Sequence, residues 1–220
     1  MHKKVICNCF KKIVFPLEFY LPTAILLMFM TVISGTAENK IQSVSKPFRV
    51  FDKKPEHKNH LYNNSDWSHD GKKIALMVHD LDAENTATIW VYDFDTQALT
   101  QITYPDAIGM MDWHPVWSPD DTQIAFASAN RGGSMHYWVV DADGKNMSKV
   151  TPEIQGHAGS IAWTSDGKGL VFTDRLNGST DIFRMDLTDN SIIRVTDDTY
   201  QNYFPSCSPD GKYISYTSNR

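Results

Sequence analysis

Two histidines, His114 and His157, each stand just ahead of a strand-like run, in the stretches Met111-Asp112-Trp113-His114 and His157-Ala158-Gly159-Ser160. Neutral imidazoles with a carboxylate such as Asp112 suit Zn or Mn. Two histidines from neighbouring segments are a thin signal, however, and neither a metal nor a cofactor is expected. Comparable stretches, Tyr62-Asn63-Asn64 and Asn202-Tyr203-Phe204, bring amides and aromatic rings to the same kind of place. Asn63, Asn64, Asp112, Trp113, His114, His157, Ser160, Asn202 and Tyr203 therefore form the candidate binding set. Convergent polar and aromatic groups suit a peptide, glycan or protein ligand. The plainer alternative has Trp113 and Phe204 packed inside the fold and the rest solvated.

Covalent catalysis finds little support. No Gly-x-Ser-x-Gly nucleophile elbow is present. The acidic run Asp80-Leu81-Asp82-Ala83-Glu84 lacks the Asp-x-Asp-x-Asp-Gly order of a calcium loop. His57 and His60 end a polar stretch and read as solvated, while His69, His79 and His136 read as structural. The sequence leans away from an enzyme.

What must position the candidate residues is a repeat. Ser65-Asp-Trp-Ser-His-Asp-Gly-Lys, His114-Pro-Val-Trp-Ser-Pro-Asp-Asp, Ile161-Ala-Trp-Thr-Ser-Asp-Gly-Lys and Pro205-Ser-Cys-Ser-Pro-Asp-Gly-Lys are four versions of one hairpin. Aligned on Trp67, Trp117, Trp163 and Cys207, they recur at 50, 46 and 44 residues. A period in the forties with several strands per unit is that of β-propeller blades.

Each unit divides into four strands. The first ends at the Trp. A turn follows, as in Ser118-Pro119-Asp120-Asp121, with Pro presetting φ, Asp satisfying local amides and Gly, or Asp121, taking a positive φ. The second strand is continuously apolar, as in Ile124-Ala125-Phe126-Ala127, so both of its faces are covered. The third ends in Asp (Asp93, Asp141, Asp186), and the short fourth ends in Thr (Thr103, Thr151, Thr196). The expected fold is all-β: four-stranded antiparallel blades over about 60–104, 110–152, 157–198 and an incomplete 201–220. Because three and a half blades leave open edges, the chain reads as a fragment of a ring of six or more blades.

The N-terminus reads as an export signal over 1–37. Lys3, Lys4, Lys11 and Lys12 precede an apolar run, Leu21 to Ile33, and the small residues Gly35 and Ala37. The run has 13 residues, short of the roughly 20 that a membrane span needs. Cleavage would move the net charge from −5 to −8 and leave Cys207 as the one cysteine, expected to be buried. No stable membrane span then remains, and nucleic acid is disfavoured for want of a basic face. Residues 38–59 form a polar linker in which Phe48 to Phe51 can make one short strand.

Trp-Ser-Pro-Asp-Asp/Gly, Ile-Ala-Phe-x-Ser, x-Asn-Arg and the closing Val-Thr resemble the TolB-type β-propeller repeat over about residues 60 to 220. The resemblance implies a periplasmic or secreted scaffold that holds an envelope protein or peptide, Pal-like if TolB-like, at its channel mouth. It also implies a small α/β domain ahead of the propeller, for which the linker has no room. The same repeat resembles the propellers of prolyl-oligopeptidase-like serine peptidases, whose catalytic domain is absent from this chain. It is similar as well to oligogalacturonate lyases, which carry a metal at the mouth.

Overall fold

The computed structural model describes residues 6–7, 60–81, 86–106, 109–129, 131, 135–151, 160–176 and 178–220. The expected signal and linker lie outside these residues, apart from the two-residue strand β1 (Ile6–Cys7).

Blade one comprises β2 (His60–Trp67), β3 (Lys73–Asp80), β4 (Thr86–Asp93) and β5 (Leu99–Gln101). Blade two comprises β6 (Met111–Trp117), β7 (Gln123–Ala129), β8 (His136–Asp141) and β9 (Ser148–Lys149). Blade three comprises β10 (Ile161–Trp163), β11 (Gly169–Leu176), β12 (Ser179–Asp186) and β13 (Ile192–Arg194). A fourth sheet pairs β14 (Asn202–Cys207) with β15 (Ile214–Ser218), and β1 lies parallel to β15. Within each blade the strands pair antiparallel in chain order. The all-β blade architecture expected from the repeat is the one that forms.

Side-chain alternation along the second strands builds the core. On β3, Ala75 and Met77 point toward blade two, where Trp117, Ile124 and Phe126 meet them. On β7, Ala125 and Ala127 point toward blade three and meet Trp163, Leu170 and Phe172. Small residues on one side and large ones on the other let neighbouring sheets wedge together. Full burial of one such Leu or Phe contributes about 1.5–3 kcal/mol. Trp117 and Trp163 thus occupy the first and second junctions. Cys207, expected to be buried in the equivalent place, is only half-buried.

The turns repeat one hydrogen-bond pattern. The Ser118 hydroxyl donates to Asp120 (2.6 Å) and accepts from the Gln123 N–H (2.9 Å). Ser68 and Ser208 do the same with Asp70 and Asp210, at 2.7 Å each. The residue closing each turn is left-handed: Gly71, Asp121, Gly167 and Gly211, at φ 71°, 58°, 67° and 68°. Asp121 occupies that position for a reason absent from the other turns. Its carboxylate reaches blade one and accepts from the backbone N–H groups of His69 (2.7 Å) and Asp70 (2.9 Å), with His69 Nδ1 at 2.9 Å. His69 stands where Pro119 and Pro209 stand in other turns, and Pro has no N–H to give.

The terminal Thr of each unit also has a role. The hydroxyls of Thr103, Thr151 and Thr196 accept from the buried N–H groups of Ile89, Tyr137 and Ile182, at 2.9, 2.9 and 3.0 Å. Each takes over where the short fourth strand leaves the third.

Candidate functional site

The first strands touch in succession, β2 with β6, β6 with β10 and β10 with β14. They therefore line the common axis. Hydrogen bonds tie them: the Trp117 N–H donates to Asp66 (2.8 Å), the Trp163 indole N–H to the Val116 carbonyl (3.1 Å), and the Phe204 N–H to the Ser160 hydroxyl (2.9 Å). Burial holds the Asp66 carboxyl above the usual range, against the opposing effect of its bond from Trp117.

The candidate residues do not precede the first strands, as the sequence suggests; most lie inside them. Three first strands are interrupted by a register shift, between Asn63 and Ser65, Trp113 and Val116, and Tyr203 and Ser206. At each shift one residue is left-handed: Asn64 (φ 41°), His114 (φ 52°) and Phe204 (φ 53°). This β-bulge lets pairing resume upstream and re-aims the side chains beside it. All three residues sit three positions before the Trp or Cys of their repeat, as does Ser160, which lies just ahead of β10. Asn tolerates the conformation, whereas for His and Phe it costs on the order of 1–2 kcal/mol.

The ring at this level is mixed in character. Asn63 and Asn64 are exposed, and His114 is half-buried, so that burial lowers its imidazole pKa. Ser160 is buried and bonded to Phe204, a residue that is 60% exposed. Tyr203 is half-buried, its hydroxyl 3.3 Å from Thr180 Oγ1 and 3.4 Å from Gln201 Oε1. His157 lies outside the described residues. Among those residues no three His, Cys, Asp or Glu side chains gather as a metal site would need.

Three candidates have other surroundings. Asp112 is fully buried and 2.7 Å from Arg131, itself 3% exposed. Arg131 also donates to the Tyr104 carbonyl (2.9 Å) and lies over the Trp138 ring. Trp113 is half-buried against both inter-blade cores. Asn202 is fully buried and donates to Thr196 Oγ1 (3.3 Å) and Asp198 (3.1 Å). A second buried carboxylate, Asp181, is held by Arg194 (2.6 Å), Thr196 (2.9 Å) and Ser179 (3.0 Å). Arg131, Asp181 and Phe204 fall outside the sequence-derived set. Arg131 belongs to the recurring Asn-Arg motif, but nothing in the sequence joins it to Asp112.

Comparison with known proteins settles the family. The model of the TolB β-propeller domain matches residues 56–220. The chain belongs to the TolB β-propeller family. A Tol-Pal system protein TolB from Ruthia magnifica subsp. Calyptogena magnifica is 33% identical over 84 residues, 38% of this chain and 20% of that protein. The crystal structure of TolB from Acinetobacter baumannii superimposes with a TM-score of 0.56 at 21% identity, over 71% of this chain and 37% of that one. An oligogalacturonate lyase solved with manganese gives 0.53 at 19% identity, over 70% and 46%. At such identities the solved structures bear on the fold alone. This TolB-family chain spans about a fifth of the curated relative and under half of either structure.

Proposed function

We propose that the chain is an exported, periplasmic binding module of the cell envelope. Its protein or peptide partner seats on the axial ring of Asn63, Asn64, His114, Ser160, Tyr203 and Phe204. The observation that carries this reading is Phe204. A large apolar ring is held out in water, on an inner strand, in a backbone conformation that disfavours it. Exposed aromatic anchors beside polar groups are what protein partners bury. The compartment rests on the order of basic head, apolar run and small residues over 1–37.

The relatives' names, Tol-Pal system protein TolB, make the first partner to test a Pal-like protein. Calorimetry with the soluble domain of such a protein, on wild type and Phe204→Asn, checks the reading. Asn relieves the backbone and removes the ring, so the variant keeps or gains thermal stability while affinity drops about tenfold or more. Equal affinity for both proteins, or none for wild type, would overturn the assignment.

A further inference from the structure

The junction between blade three and the fourth sheet departs from the other two junctions at two positions at once. The first departure is Cys207, which stands where Trp117 and Trp163 fill the earlier junctions. The second is on the third strands. The pairings Leu76–Trp90, Phe126–Trp138 and Phe172–Phe183 place Val91, Val139 and Arg184 at one position. Two junctions thus present Val to a Trp, and the third presents a guanidinium to a thiol. What remains between the sheets is a cavity of about 160 Å³, walled by Val195, Ile214, Tyr216 and Cys207, with Arg184 and Lys212 at its polar side. In the second junction the equivalent walls, Val150, Leu170 and Phe172, close on the indole of Trp163.

We propose that this cavity takes a small planar aromatic carboxylate, its ring lying where the other junctions hold an indole and its carboxylate meeting Arg184. Size permits the ring, since a cavity of about 150 Å³ accepts benzene and the equivalent position holds an indole in the other two junctions. Charge selects the acid over a neutral ring. Lys212 is paired with Asp210 at 3.0 Å, whereas Arg184 makes no ion pair within 4 Å among the described residues, its charge reaching the carboxyls of Asp166 and Asp186 from further off. Its planar fork suits a carboxylate. Asp166, which also lines the cavity, is tied to the Thr164 hydroxyl (2.6 Å) and the Lys168 N–H (3.0 Å). The site is separate from the axial ring and stands independently of the function proposed there.

The test titrates indole-3-acetate, with neutral indole beside it, into the full chain by calorimetry, and follows iodoacetamide labelling of Cys207 by peptide mass. Saturable one-site binding of indole-3-acetate that slows labelling of Cys207 is expected. Arg184→Gln weakens the acid about tenfold and leaves indole unchanged. Cys207→Trp, which supplies the missing indole covalently, abolishes binding of both; should it fail to fold, Cys207→Phe serves the same purpose. Absence of saturation at millimolar ligand, undiminished labelling, or binding that survives filling of the cavity would each overturn the proposal.

Discussion

His114 shows how a single residue carries two costs, a left-handed backbone and a half-buried imidazole. Blade one solves the same position with Asn64, which tolerates that conformation. Burial lowers the folded-state pKa of His114 below its ordinary value. The unfolded chain therefore takes up the proton first, so the stability contributed by neutral His114 is complete above about pH 6.5 and declines as pH falls. His114→Asn should accordingly match or exceed wild type in Tm at pH 8 and pull ahead of it toward pH 5.5, with melting curves across that range as the check. Asp112 is a different case. Truncation to Ala strands the buried Arg131 guanidinium with the Tyr104 carbonyl and the more distant Asp106. A loss of about 3–5 kcal/mol in urea denaturation is expected. If Asp112 served ligand binding alone, stability would not change.

At the scale of the element, the Thr that closes each unit stands in for a strand that has run out. Thr151→Val keeps the shape and leaves the Tyr137 N–H without its acceptor inside the core. Chemical denaturation should show a cost of about 1–3 kcal/mol. Thr100→Val, on the exposed side of β5, should show almost none. The closing Thr was visible in the sequence as punctuation, but its purpose was not, because the bond spans 14 residues. The blades themselves were readable because their apolar runs and Asp-Gly turns repeat in register. The bulge was hidden because it is a property of the backbone, and Asn64, His114 and Phe204 share no side-chain chemistry. Their polar and aromatic surroundings read as loop, which is why the first strands begin earlier than the sequence suggests. The ion pairs of Asp112 and Asp181 are not legible in the sequence for a related reason: they occupy different positions in their blades and obey no repeat.

Over the whole molecule, four turn carboxylates act alike. Hydroxyl groups of Ser68, Ser118, Thr164 and Ser208 hold Asp70, Asp120, Asp166 and Asp210 below the usual carboxylate range, Asp210 at about 2. Depressed folded-state values mean that their stabilisation is complete above about pH 4 and is lost as pH falls through the folded values toward pH 2. Because every blade has such a turn, acid should loosen all of them over one range, and Tm measured from pH 5 to pH 2 should drop steeply below pH 4. Ser208→Ala should reduce that dependence by the share of one turn. The pair His69–Asp121 has the opposite character, since it belongs to one junction only. A carboxylate in place of Gly calls for two amide hydrogens across the gap, and only a turn lacking Pro can offer them both. Blades one and two therefore carry matching labels. Duplication of blade two, or its placement after the fourth sheet, would set Asp121 against a Pro turn with one amide hydrogen too few, whereas the Ser165 turn of blade three keeps both, so this pair limits which module can precede blade two.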